Sequence, residues 1–320
     1  MMHSLVFVGG GLILLTVGAD GFVRGAASLA RRIGISPLVV GLTVVALATS
    51  LPELLVSVSA ALRGNGGVSL GNVVGSNISN IGLILGVSAL VGAIGVKAQI
   101  IRIDGPILVG CSVLLLVLGV DGTLGRMDGI ILAGLLVGYV VFSIRTARRE
   151  PRTGSVQTEF DEALPVQHAG WLDGIYLVGG LAAILGGAHV LVDGAVTIAR
   201  SAGISDAVVG LTIVAIGTSL PELATSVTAA WNGEGDLAIG NAVGSSIFNV
   251  LGILGATVII QPLDMGVLRP SDALVMTGFA VALLPLLRTG FTLSRREGAV
   301  LILGYLAYVF SLVAPRLDLL

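Results

Sequence analysis

Long apolar runs broken by short polar or glycine-rich joints set the pattern of this chain. A membrane-crossing helix needs about 20 mostly apolar residues. On that rule the runs predict helices near 4–30, 37–62, 69–95, 104–120 and 128–145. A polar stretch from Thr146 to Gly170 follows, and then five more helices, near 171–199, 206–231, 237–261, 270–288 and 296–314. The expected fold is therefore an all-α polytopic membrane protein of ten transmembrane helices. Its parts are a first five-helix unit (1–145), a linker (146–170) and a second five-helix unit (171–320). The first run has no basic lead-in and no clear cleavage site, so it reads as a retained helix rather than a signal peptide.

The two halves repeat one another in a single register. Gly41-Leu-Thr-Val-Val-Ala-Leu-Ala-Thr-Ser-Leu-Pro-Glu53 recurs as Gly210-Leu-Thr-Ile-Val-Ala-Ile-Gly-Thr-Ser-Leu-Pro-Glu222. Gly25-Ala26 matches Gly194-Ala195, Gly71-Asn72 matches Gly240-Asn241, and Asp128-Gly129 matches Glu297-Gly298, always 169 positions apart. An odd number of helices per repeat inverts the second half relative to the first. That is the inverted-repeat architecture of secondary transporters, with a substrate site near the midplane.

Composition agrees with this pattern. The chain is 55% hydrophobic and 11% charged, with mean hydropathy +1.02, against about 25% charged residues in soluble domains. Its 47 glycines suit close helix packing in lipid. The single cysteine, Cys111, excludes an internal disulfide, and three histidines without ligand spacing give no zinc pattern. Nothing implies a cofactor, a nucleic acid or a protein partner; the expected surroundings are the lipid bilayer. Twelve Lys/Arg fall in loops after odd-numbered predicted helices. Five (Arg63, Arg126, Arg200, Arg269, Arg316) fall after even-numbered ones or at the C-terminus. The positive-inside rule then puts the linker in the cytoplasm and both termini outside, in a prokaryotic plasma membrane.

The candidate chemistry sits inside the repeated motifs. Glu53 and Glu222 each follow a proline within an apolar run. A charged side chain at a bilayer centre costs about 3 kcal/mol on insertion scales, so intramembrane acids mark ion pathways by default. Pro52 and Pro221 lack an N–H, which predicts breaks near Thr49-Ser50 and Thr218-Ser219 and frees backbone carbonyls around Ala46 and Ala215. The next helices carry Gly71-Asn-Val-Val-Gly-Ser-Asn-Ile-Ser-Asn80 and Gly240-Asn-Ala-Val-Gly-Ser-Ser-Ile-Phe-Asn249. Ser76 and Asn80 share one helical face, as do Ser245 and Asn249. These groups are hard oxygen donors, which excludes the soft-ligand metals. Ca²⁺ takes about six to eight such oxygens, and Mg²⁺ demands stricter geometry. Na⁺ has similar size and taste. Asn72 and Asn241 read as structural, and the other acids, Asp104 and Asp173 among them, as interfacial residues at helix ends.

At these residues the chain resembles the calcium/cation antiporter superfamily, in its prokaryotic sodium/calcium exchanger branch. The likeness is densest over Gly41–Leu85 and Gly210–Leu254, where the family pattern is G-T-S-x-P-E followed by G-N-x-x-G-S-N-x-x-N/D. The resemblance implies a core of helices 2, 3, 7 and 8, with helices 1 and 6 sliding across it to alternate access. It implies ion ligands at Thr49, Ser50, Glu53, Ser76 and Asn80, and at Thr218, Ser219, Glu222, Ser245 and Asn249. Carbonyl ligands fall on Ala46 and Ala215. It implies Na⁺ and Ca²⁺ as transported ions and no enzymatic activity. Ala48 departs from the family glycine that Gly217 keeps, and Asn249 stands where some members have Asp. A Ca²⁺/H⁺ antiporter of the same superfamily and, more remotely, a cation channel are the alternatives.

Overall fold

The computed structural model describes residues 2–149, 170–201 and 215–317. Almost all of them are helical. In chain order the helices are α1 (Met2–Ile33), α2 (Pro37–Thr49) and α3 (Leu51–Leu62). Then come α4 (Gly66–Val91), α5 (Ile100–Asp121), α6 (Arg126–Arg149) and α7 (Gly170–Ser201). The chain closes with α8 (Ala215–Thr218), α9 (Leu220–Trp231), α10 (Gly235–Ile260), α11 (Pro270–Arg288) and α12 (Arg295–Leu317). Among the described residues seven helices are long and apolar enough to cross a membrane, or eight if the bent α2–α3 pair is one span. Most of the expected linker (150–169), and residues 206–214 of the seventh expected helix, lie outside the described residues.

The predicted helix breaks are present. α2 and α3 meet at a 45° bend, with Ser50 at φ −83°, ψ 7°. Ser219 takes the same role between α8 and α9, at φ −90°, ψ 5°. Pro52 and Pro221 stand in the first turn beyond each bend, where a missing N–H costs least. α4 and α10 each contain a π-helical stretch, Asn80–Leu85 and Asn249–Leu254. Such stretches recur at functional sites, and here each begins on a candidate ligand.

Two short ladders tie the halves together. β1 (Ile94–Gly95) pairs antiparallel with β4 (Thr292–Leu293), Ile94 opposite Leu293. β2 (Thr123–Leu124) pairs with β3 (Leu263–Asp264), Leu124 opposite Leu263. Shifting either ladder by 169 residues gives the other, register included. Each ladder is extended by one more backbone bond, Val96 N–H to the Phe291 carbonyl (2.8 Å) and Met265 N–H to the Gly122 carbonyl (2.9 Å).

Burial separates a core from a flank. About three quarters of the α4 and α10 windows are buried (78% and 72%), against 33% for α1 and 22% for α7. α1 and α7 lie against each other along a glycine seam. A Cβ on Gly18 would come 2.8 Å from that of Ala183, and one on Gly180 would come 2.6 Å from the Phe22 nitrogen. In the core, Gly240 and Gly244 let α2 approach to backbone contact. A Cβ on either would meet the Leu38 or Leu42 carbonyl, at 2.7 and 2.6 Å.

Candidate cation site

The bends bring the two Ser-Leu-Pro-Glu segments together across the core. Ser50 Oγ donates to Glu222 Oε1 at 2.9 Å, and Ser219 Oγ donates to Glu53 Oε1 at 3.3 Å. Each serine thus holds the glutamate of the opposite half. Glu53 and Glu222 are both 1% exposed, and among the described residues neither carboxylate has an Arg, Lys or His partner. Ser76 Oγ lies 3.5 Å from Ser219 Oγ.

A second pair of bonds anchors the backbone under each glutamate. Asn72 Nδ2 donates to the Glu53 carbonyl (3.1 Å) and to Ser57 Oγ (2.9 Å). Asn241 Nδ2 donates to the Glu222 carbonyl (3.3 Å) and to Ser226 Oγ (2.9 Å). Both asparagines brace the bent helix against its neighbour, in line with the structural role expected of them. Asn241 Oδ1 also accepts from Thr49 Oγ1 at 3.1 Å.

Asn80 and Asn249 begin the π-helical stretches of α4 and α10, which pack against α9 and α3, the helices that carry Glu222 and Glu53. Asn249 Nδ2 donates to Asn77 Oδ1 (3.0 Å), and Asn80 Nδ2 donates to Ser246 Oγ (3.4 Å). With the nitrogens engaged, the amide oxygens are left over. Asn80 Oδ1, Asn249 Oδ1, Glu53 Oε2 and Glu222 Oε2 are all buried without a hydrogen-bond partner, as is Ser245 Oγ. Buried polar atoms are almost always paired. These four leftover acceptor oxygens form two pairs related by the repeat, and each is a group that a cation would satisfy.

Nine of the ten side chains expected at the site make these bonds or are buried in the same core. Thr218 is half-buried beside Ser219. The backbone prediction needs correction. The Ala46 carbonyl is not freed by the bend: it accepts the Ser50 N–H at 3.1 Å and lies 3.4 Å from Thr49 Oγ1. The helical ladder runs on into the bend because Pro52 removes the donor for residue 48, not residue 46. In the second half the bend is tighter. Ser219 N–H turns to the Ile216 carbonyl (3.1 Å), one residue later than the equivalent bond in the first half.

Two acids read as interfacial are buried instead. Asp104 is fully buried, with Tyr139 Oη donating to Oδ1 (3.1 Å) and Gln99 Nε2 to Oδ2 (3.0 Å). The π-helical stretch Ile100–Asp104 lengthens its helix toward the N-terminus and carries Asp104 inward. Asp173 is 2% exposed and takes Arg32 Nε at 2.8 Å, joining α7 to α1. Asn77 and Ser246 were not singled out from the sequence. The signal was available, since both are polar, lie within apolar helices and stand 169 positions apart.

Comparison with known proteins agrees with this geometry. The pattern of the family described as sodium/calcium exchanger protein matches residues 3–145 and 173–314. The chain is 40% identical over 316 residues to the putative antiporter CaxA of Alkalimonas amylolytica, covering 98% of this chain and 99% of the relative. It is 35% identical to the sodium/calcium exchanger MaX1 of Methanosarcina acetivorans, covering 94% and 96%. A solved structure of the sodium-calcium exchanger NCX_Mj, soaked with Na⁺ and Sr²⁺, superposes with TM-score 0.84 at 32% identity over 96% of this chain and 98% of that one. The protein is an integral membrane antiporter, and the chain belongs to the sodium/calcium exchanger protein family.

Proposed function

We propose that this antiporter exchanges Na⁺ for Ca²⁺ and uses inward Na⁺ flow to extrude Ca²⁺. One observation carries the reading: two buried carboxylates with no cationic partner, and four buried acceptor oxygens with no donor, among the described residues. Glu53 and Glu222 would be shared ligands. Thr49, Ser50, Ser76 and Asn80, with Thr218, Ser219, Ser245 and Asn249, would supply hydroxyl and amide oxygens. The Ala215 carbonyl and the second lone pair of the Ala46 carbonyl would complete the shell. A single all-oxygen cage suits Ca²⁺ at about 2.3–2.6 Å. It equally suits Na⁺ in its place, and competition for one site is what obligatory exchange requires.

The framework in this proposal is ten transmembrane helices in two inverted repeats, α2–α3, α4, α8–α9 and α10 forming the core. The offset-related ladders and serine–glutamate bonds support it. The glycine seam makes α1 and α7 a separable flank, able to shift against that core as one unit. Both termini would face outward, on the charge asymmetry of the loops.

The test is ⁴⁵Ca²⁺ uptake into proteoliposomes loaded with Na⁺ and diluted into Na⁺-free buffer, with any pH gradient collapsed by an ionophore. Uptake that needs internal Na⁺ supports exchange. Uptake that returns only with a proton gradient moves the protein to the Ca²⁺/H⁺ reading, with the two glutamates as proton carriers.

A further inference from the structure

The leftover amide oxygens of Asn80 and Asn249 are useful to a cation only if each amide is held with oxygen inward. A free primary amide has two nearly isosteric ends, and the wrong one presents N–H to a cation. Something must set the direction.

The bonds behind the two amides do so. Asn77 Nδ2 donates to the Ser246 backbone carbonyl at 3.1 Å and reaches Met276 Sδ at 3.6 Å. Both are acceptors only, so the Asn77 nitrogen is committed and its Oδ1 must face the other way, toward Asn249. An acceptor there forces Asn249 to present its nitrogen, at 3.0 Å, and leaves its buried oxygen as the unpartnered end. On the other side Ser246 Oγ donates its only proton to the Ala242 carbonyl at 2.9 Å. It then faces Asn80 as an acceptor, at 3.4 Å, and takes the Asn80 nitrogen. Asn77 and Ser246 are 1% and 0% exposed, so no bulk water competes for these partners.

We propose that Asn77 and Ser246, at equivalent places in the two halves, are positioning residues that lock the amides of Asn249 and Asn80 oxygen-inward. Through those amides they set the cation affinity of the site. This rests on the cation-site reading above. The two locks are unequal. Asn77 is itself fixed by two acceptors and holds Asn249 at 3.0 Å, whereas Ser246 holds Asn80 with a single hydroxyl at 3.4 Å. Losing the Asn77 side chain therefore has the larger effect.

The experiment is Ca²⁺ binding to the purified full chain by titration calorimetry, alongside the half-saturation and maximal rate of exchange. Asn77→Leu is expected to weaken Ca²⁺ binding by about tenfold or more, the usual cost of losing a partner that orients a metal ligand. The half-saturation of exchange for Ca²⁺ rises with it by a similar factor. Because Asn77 acts through Asn249, Asn77→Leu/Asn249→Ala should bind no more weakly than Asn249→Ala alone. Ser246→Ala weakens binding by a smaller factor, and Ser246→Thr, which keeps the hydroxyl, restores it. Unchanged affinity in both Asn77→Leu and Ser246→Ala, or additive losses in the double variant, overturns the proposal. Should Asn77→Leu fail to fold, the Ser246→Ala and Ser246→Thr pair decides alone: equal affinities in the two overturn it. Wild-type protein that binds neither Ca²⁺ nor Na⁺ would overturn the cation-site reading and this proposal together, an outcome distinct from wild-type binding that the variants leave unaltered.

Discussion

The first and second halves of the candidate site carry the same side chains at its glutamates, its serines and the asparagines Asn80 and Asn249, and differ at some of the groups behind them. Glu53 and Glu222, Ser50 and Ser219, Asn80 and Asn249 are identical pairs, and their bonds recur at the same offset. Behind them Asn77 faces Ser246, and Ala48 answers Gly217. Under the proposed function the ion would feel a site shared by the two repeats as one object, so its lining would be symmetric. The supports need only deliver the same oxygen to the same place, and an amide or a hydroxyl both can. The equivalence therefore lies in the direction of each hydrogen bond rather than in the residue that makes it.

The largest test of that equivalence is loss of either carboxylate. Glu53→Gln and Glu222→Gln should each reduce Ca²⁺ transport by more than about 100-fold, beyond the range for losing a mere supporting partner. The two should fall together in a proteoliposome flux assay. A chain in which one glutamine variant transports normally would break the shared-ligand picture.

The serines should separate the halves by degree. Ser50 Oγ donates to Glu222 at 2.9 Å, while Ser219 Oγ donates to Glu53 at 3.3 Å and is also near Ser76. A hydrogen bond to a charged group contributes about 1.5–3 kcal/mol. Ser50→Ala should therefore cost more Ca²⁺ affinity than Ser219→Ala, where Ser76 lies within reach as a substitute hydroxyl. Binding titrations on the two variants give the comparison directly, and the reverse order would mean that Ser76 does not substitute.

The glycine seam offers a smaller, structural contrast with the core. A Cβ on Gly180 would sit 2.6 Å from the Phe22 backbone nitrogen, whereas one on Gly179 meets nothing within 4 Å. Gly180→Ala is expected to destabilise by about 1–3 kcal/mol through overpacking. Gly179→Ala, one residue away, should be neutral or slightly stabilising, since alanine is the better helix former. Thermal unfolding in detergent, monitored by circular dichroism, separates the two. Equal melting points would mean that α1 and α7 are not held at backbone distance.

What was legible in the sequence follows from where the information lies. The doubled Pro-Glu motif and the apolar runs are local, so the helices among the described residues and the bends at Ser50 and Ser219 could be read directly. Asp104 was misplaced because its partner Tyr139 is 35 positions away and because one π-helical stretch moved it inward. Asn77 passed unnoticed for a related reason. Its value depends on Ser246 in the other half, and only the direction of their bonds distinguishes a lock from ordinary packing. The two-residue ladders were beyond reach, since no periodicity can be seen in two residues.

Those ladders carry the smallest expected effect. Gly122 and Phe291 hold equivalent places, each giving its carbonyl to a backbone N–H, and both have positive φ, 87° and 52°. Glycine adopts that conformation freely, but for an L side chain it costs about 1–2 kcal/mol. Phe291 is the single non-glycine residue with positive φ among those described, and its ring is half exposed, so little packing offsets the strain. Phe291→Gly should relieve it. Part of the gain is lost to the greater freedom of glycine in the unfolded chain, about 0.4–1 kcal/mol, which leaves a net rise of under about 1 kcal/mol. Gly122→Ala should move stability the other way by a similar amount. A melting temperature that rises in the first variant and falls in the second would show that the halves differ here only in tolerated strain. A fall in both would mean that the Phe291 ring makes a stabilising contact, with lipid or protein, that its equivalent in the first half lacks.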